Sequence, residues 1–264
     1  MIEVDRLTVH YGGRRALSNL SLKVAEGELF GILGPNGAGK TTLFSVLSGQ
    51  RKPTRGKATV SGLDVTAATR KVQGILGIVP QAFSGYELLS GMENLYFFGS
   101  LHRVKKRYLM TRSRELLGMV SLQPRAYDAV ASYSGGMKHR LNIILGLVHD
   151  PKVVIMDEPT TGLDPIAREE LWAIIRRLRA RGVTILLTTH YMQEAEALCD
   201  RVAILDRGNL KLLGRPNELG TSLEAAFRAC VTMDSVVDKS GEPLQAQQPA
   251  VTERRKHPDS KGGL

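Results

Sequence analysis

Residues 34–41 read GPNGAGKT, two glycines five positions apart followed by Lys and Thr. No other segment narrows the fold as much, because such a loop holds phosphate only between a buried strand and the start of a helix. Its flanks supply both. Residues 28–33 (ELFGIL) form a short apolar run suited to a buried strand, and residues 40–47 (KTTLFSVL) read as a helix start. Gly34, Gly37 and Gly39 let the backbone turn with its N–H groups inward, so a phosphate meets several donors and the positive end of the helix dipole. Asn36, Gly37, Ala38, Gly39, Lys40, Thr41 and Thr42 are therefore assigned to a nucleoside triphosphate. Lys40 supplies a point charge for the β- and γ-phosphates, and Thr41 a hydroxyl for a Mg²⁺ ion bridging the same oxygens.

A strand and helix of this kind need a parallel sheet around them. Residues 153–156 (VVIM) and 183–188 (VTILLT) are continuous apolar runs, as expected for parallel strands covered on both faces, and residues 165–180 read as the crossover helix between them. A right-handed unit of that order turns its strand C-termini toward the phosphate. Asp157 and Glu158 emerge there, the first suited to the Mg²⁺ shell and the second to polarising a water for in-line attack on the γ-phosphorus. His190 closes the next strand, where a neutral imidazole donates to the γ-phosphate or holds the attacking water. Gln81, just after the strand candidate 75–79, offers an amide oxygen for Mg²⁺ or water and forms a hinge between the nucleotide and a helical insertion. A second anion-binding helix end is predicted at Ser134, Gly135 and Gly136, where Ser134 caps a helix over 137–148 and the two glycines leave its first amides bare.

The remaining chain divides by pattern. Residues 2–9 and 18–24 alternate polar and apolar and are joined by Gly12-Gly13, which predicts antiparallel strands with one wet face. Residues 58–60 and 75–79 are further short strands, and about 86–150 turns helical, an inserted subdomain. The fold class is α/β: a phosphate-loop core with a parallel sheet, an N-terminal antiparallel β lobe and an inserted helical subdomain, over residues 1–230. The polar, Pro- and Gln-bearing stretch 231–264 is expected to be disordered. No apolar run reaches the roughly 18 residues that cross a bilayer, and the first residues lack signal-peptide character, so a cytosolic chain is expected. Two cysteines without CxxC spacing suggest neither a disulfide framework nor a zinc site. The net charge of +10 gathers in short basic clusters at 102–114 and 176–181, read as solvated helix faces with no direct nucleic-acid partner.

In order and spacing, GPNGAGKT, Gln81, YSGGM at 133–137, VVIMDE at 153–158, TGLD ending at Asp164, and His190 closely resemble an ATP-binding cassette (ABC) transporter ATPase over about residues 1–220. The resemblance implies an ATP- and Mg²⁺-dependent ATPase at the cytoplasmic face of the membrane. It further implies a homodimer or a pair with a second cassette, arranged head to tail. Ser134 and Gly136 of one subunit then bind the γ-phosphate held by Lys40 of the other, and Tyr11 stacks on adenine. YSGGMKHRL with DEPTTGLDP resembles the subunits of bacterial drug, lipid and polysaccharide exporters more than importers, although Met137 and His139 replace the commoner Gln and Arg. Such a subunit drives a separate polytopic membrane permease, docked here by residues 81–101 with Tyr86, Tyr96, Phe97 and Phe98. The competing class is a non-transport cassette ATPase of translation, DNA repair or cofactor assembly.

Overall fold

The computed structural model describes residues 1–220 and 222–232. Two sheets organise it. The first is a four-stranded antiparallel lobe in the order β2-β1-β4-β5, formed by β1 (Ile2–Tyr11), β2 (Arg14–Val24), β4 (Arg55–Val60) and β5 (Leu63–Asp64). The second is a six-stranded sheet in the order β10-β9-β3-β8-β7-β6. Its members are β3 (Leu29–Leu33), β6 (Leu76–Val79), β7 (Val153–Asp157), β8 (Thr184–Thr189), β9 (Arg201–Asp206) and β10 (Asn209–Gly214). Every pairing in it is parallel except the β9–β10 hairpin.

The apolar runs are buried on both faces because successive side chains of a strand point to opposite sides. Val154 and Met156 of β7 join one apolar cluster while Val153 and Ile155 join the other, and β3 divides in the same way, Leu29 and Leu33 against Phe30 and Ile32. One face is covered by α1 (Lys40–Leu47), which buries Leu43, Phe44, Val46 and Leu47 in the cluster shared with the antiparallel lobe. On the other face lies α6 (Pro165–Ala180), capped by Asp164 and started by Pro165, with Leu171, Trp172, Ile174, Ile175 and Leu178 buried. Each such side chain contributes about 1.5–3 kcal/mol relative to exposure.

The helical insertion comprises α3 (Gly91–Leu101), α4 (Lys106–Met119) and α5 (Gly135–Leu145). It has no separate core: Leu95, Leu109, Leu116 and Leu117 belong to the same cluster as Val154 and Leu171. Several boundaries differ from the sequence reading: β1 runs on to Tyr11, β2 starts at Arg14 and β4 at Arg55. Residue 75 ends a helix, α2 (Thr69–Ile75), and the strand begins at Leu76. The helix expected over 137–148 runs from Gly135 to Leu145, because Ser134 caps it directly. The polar stretch 61–74 conceals α2, whose one buried side chain, Val72, gives no periodic signal.

The last elements, α7 (Met192–Leu198), β9, β10 and α8 (Leu223–Thr232), follow His190, where the sequence reading assigned none. Helix α8 continues through Thr232, two residues beyond the boundary drawn from composition at 230. The rest of the expected tail, 233–264, lies outside the described residues. Cys199 and Cys230 are both free thiols. Among the described residues no helix is long and apolar enough to cross a membrane.

A histidine pair joins the insertion to the sheet. The rings of His102 and His149 stack 3.7 Å apart at 3°, and His149 Nε2 lies 3.2 Å from the Leu76 carbonyl oxygen of β6. Burial, and then the neighbouring His102, push His149 down to about 4, and its Nδ1 has no hydrogen-bond partner. Unfolded histidine titrates near 6.5. Below that pH the unfolded chain therefore takes up a proton that the folded chain refuses, and stability falls until the pH reaches about 4. Thermal unfolding followed at pH 7.5, 6 and 5 should show a midpoint that drops with acidity and a shallower drop in His149→Gln. Identical pH slopes for the two proteins would remove His149 as the cause.

Candidate active site

Strand β3 delivers the chain to Gly34 at its C-terminal end, and α1 begins at Lys40. Between them the backbone turns twice through the left-handed region, at Gly37 (φ 81°) and Gly39 (φ 109°). A side chain at Gly39 would also meet the Ala16 carbonyl oxygen at 2.7 Å. The turn between β9 and β10 braces this loop from outside: the Gly208 N–H donates to Ala38 O at 2.9 Å, and the Gly208 carbonyl accepts from Ser18 N at 2.8 Å. Gly208 escaped the sequence reading. Arg207-Gly208 between apolar runs was its only signal, a tight-turn signature of the kind that joins hairpin strands.

A cavity of about 550 Å³ opens over the loop, lined by Tyr11, Arg14, Ala16, Asn36, Gly37, Ala38, Gly39, Lys40, Thr41, Thr42, Gln81, Glu158, Thr161 and His190. Tyr11, the loop residues 36–42, Gln81, Glu158 and His190 thus line one cavity. Arg14, Ala16 and Thr161 were not anticipated. Tyr11 is 44% exposed, with the Arg51 guanidinium 3.6 Å from its ring centroid. Such a cation over the ring face steadies an exposed aromatic side chain.

Glu158 is the convergence point. Its Oε1 lies 3.3 Å from Lys40 Nζ. Its Oε2 accepts from Thr161 Oγ1 at 3.3 Å and Gln81 Nε2 at 3.4 Å, and lies 3.1 Å from His190 Nδ1. The residue is 9% exposed, and its backbone sits at φ 48°, a left-handed conformation that costs a side-chain-bearing residue about 1–2 kcal/mol. Two bonds hold it there, from Glu158 N to Thr188 O at 3.0 Å and to Thr188 Oγ1 at 3.1 Å. Strain of this sort persists where the surroundings over-determine one orientation. Lys40 is itself held by the Gly34 and Pro35 carbonyls, at 2.7 and 3.3 Å. A γ-phosphate attracted to Lys40 therefore arrives within reach of the Glu158 carboxylate.

Asp157 is the last residue of β7 rather than the first after it, and is not among the residues that line the cavity. Burial pushes its carboxyl above the usual range, the Glu158 charge adds to that, and bonds from Thr188 and Thr41 together with the Lys40 charge pull it back. Thr41 and Asp157 are thus direct neighbours, and Gln81, whose Nε2 faces Glu158, makes no hydrogen bond through its amide oxygen among the described residues. Hydroxyl, carboxylate and amide oxygens form the donor set Mg²⁺ prefers. Among the described residues no group of three or more His, Cys, Asp or Glu is placed to hold a metal alone. An ion at Thr41 and Asp157 would complete its shell with phosphate oxygens and water, and would supply charge neutralisation there.

Ser134, Gly135, Gly136 and Asp164 do not join this cavity. Ser134 Oγ caps α5 by accepting from Met137 N at 3.3 Å, and Asp164 caps α6 by accepting from Ala167 N at 2.9 Å. The two helix starts line a separate cleft of about 520 Å³ with His139, Arg140 and Ile166, the last 76% exposed. The loop 161–164 connects the two places: Thr161 faces the Lys40 cavity, while Gly162, Leu163 and Asp164 face the cleft. His139, at the position where Arg is commoner, turns its Nδ1 to the Pro159 carbonyl oxygen at 3.1 Å.

The family model described as "ABC transporter" matches residues 17–161. The chain is 42% identical over 231 residues to "ABC transporter A family member 8" of Arabidopsis thaliana, covering 87% of this chain and 26% of that protein. It is 44% identical over 219 residues to "Nod factor export ATP-binding protein I" of Rhizobium johnstonii, covering 83% of this chain and 70% of the relative. The chain thus spans about a quarter of the plant protein's length and most of the bacterial one's. Among solved structures, a dimeric post-hydrolysis state of an ATP-binding cassette bound to ADP and Pi superposes with a TM-score of 0.73 at 26% identity, over 81% of this chain and 98% of that one.

Proposed function

The chain belongs to the ABC transporter family, and from that premise we propose that it is an ATPase subunit that closes as a head-to-tail dimer on ATP and Mg²⁺ and drives a separate membrane permease, in the direction of export. The observation that carries this reading is the splitting of one phosphate site into two places. Lys40, Glu158 and His190 line one cavity, and the bare helix start at Ser134-Gly135-Gly136 lines another, with the loop 161–164 between them. A second copy turned head to tail supplies the missing helix start to each cavity, and the exposed Ile166 lies on the surface that would be covered. Ser134, Gly135, Gly136 and Asp164 then act on the partner's nucleotide, and Tyr11 on the base of the subunit's own.

The permease contact falls on the loop before α3 and on α3 itself. Tyr86, Leu88, Phe97 and Leu101 are exposed, Leu88 by 91%, whereas Tyr96 and Phe98 pack against the core. Two of the four aromatics expected to dock thus remain available, joined by two aliphatic residues. Tyr86 and Phe97 meet edge to face at 4.9 Å, and exposed apolar side chains of this kind give the permease a place to bind. Export is favoured by likeness to a Nod factor export protein. Attachment to such a permease places the subunit at the cytoplasmic face of the membrane. Purifying the tagged full chain from detergent-solubilised membranes of its host should bring down a polytopic membrane protein. Ribosomes or DNA in its place would overturn the transport reading.

A further inference from the structure

We propose that Asn142 is a positioning residue that holds Gln81 in the active site. The side chain is 3% exposed in the middle of α5, in an otherwise apolar run (LNIIL) where an unbonded amide would be costly. All its capacity is used on one loop. Its Nδ2 donates to the carbonyls of Pro80 at 2.9 Å and Ala82 at 3.3 Å, the residues on either side of Gln81. Its Oδ1 accepts from Ser84 N at 3.0 Å and Ser84 Oγ at 2.8 Å. Four bonds therefore tie residues 80–84 to the helix, while Gln81 itself reaches the catalytic side only through its 3.4 Å contact with Glu158.

The consequence is mechanical. Gln81 follows β6 in a stretch without regular structure, so its backbone gains no register from a sheet or helix. Asn142 supplies that register. The same helix begins at Ser134-Gly135-Gly136, about 12 Å away along its axis at 1.5 Å per residue. Gln81 and the anion-binding helix start accordingly sit on one rigid piece, and a displacement of α5 carries Gln81 with it. Since a misplacement of about 1 Å near reacting atoms can cost up to about 100-fold in rate, loss of this anchor should slow hydrolysis without removing the nucleotide site.

The inference rests on Gln81 acting at the γ-phosphate, and the test separates the two. Steady-state ATP hydrolysis by the full chain is measured for wild type, Gln81→Ala, Asn142→Leu and the double variant. Leu fills the space of Asn and removes all four bonds. The expected result is a kcat about 10-fold lower for Asn142→Leu with KM for ATP nearly unchanged, and a double variant no slower than Gln81→Ala alone. A residue needed only for folding would instead multiply its effect with that of Gln81→Ala, and that outcome, or an unchanged kcat in Asn142→Leu, overturns the proposal. Wild-type turnover in Gln81→Ala would overturn the role of Gln81 first and the role of Asn142 with it. Should Asn142→Leu fail to fold, Ser84→Ala, which deletes one of the four bonds, enters the same cycle, with the same non-additivity expected at smaller size and additivity overturning the proposal.

Discussion

Glu158→Gln should lower ATP turnover by about 100-fold or more, the span over which a positioned general base contributes, while leaving ATP binding in place. The substitution keeps the size of the side chain and removes the charge that accepts a proton from the attacking water. The neighbours explain why binding survives. Lys40 retains the Gly34 and Pro35 carbonyls, and the loop is braced by Gly208, so the phosphate cradle does not depend on the carboxylate. If two chains close on two nucleotides, the variant should accumulate as an ATP-bound dimer, seen by size-exclusion chromatography with ATP and lost with ADP. Near-normal turnover would remove Glu158 as the base. Lost turnover without a dimer would leave the base intact and count against the two-chain site.

Lys40→Ala is expected to act one step earlier. The residue is 5% exposed, and its ammonium is fixed by two carbonyls and lies 3.3 Å from Glu158. A charge-assisted bond to phosphate is worth about 1.5–3 kcal/mol, which corresponds to about 10- to 150-fold in affinity for ATP. The variant also leaves the buried Glu158 carboxylate without its cation, which adds repulsion toward any phosphate entering the cavity. Calorimetric titration with ATP measures the effect directly, and an affinity equal to wild type would refute the loop assignment. The two substitutions thus separate binding from chemistry: one should lose the nucleotide, the other should hold it without cleaving it.

How well each part could be read from sequence depends on how local its cause is. GPNGAGKT, the strand before it and the helix from Lys40 were legible because a phosphate loop is one contiguous segment with a fixed backbone demand. The runs at 153–156 and 183–188 were legible because burial on both faces leaves no charged position in either run. Ser134 announced a helix start because a cap is set within four residues. The hairpin β9–β10, by contrast, went unassigned although each strand has an apolar run, and with it Gly208, whose part in bracing the loop depends on a strand lying next to β3. Asn142 gave no signal at all. An asparagine in an apolar helix looks like a defect until the loop it bonds is brought beside it, 60 residues away in sequence.

Chemical identity therefore resides in the chain itself: which residues carry charge, which backbone positions turn, and that a triphosphate is held at a helix end. These are properties of neighbouring residues and survive without knowledge of the fold. The meeting of Gln81, Glu158 and His190 does not, because those residues are separated by 77 and 32 positions and are assembled by the strand order β3-β8-β7-β6. Nor does the placing of Ser134 outside the Lys40 cavity, which is set by packing of the insertion into the same core as the sheet. Local patterns encode elements, whereas distances between elements come from how their buried faces pack, and it is those distances that keep Ser134 apart from Lys40 within one chain.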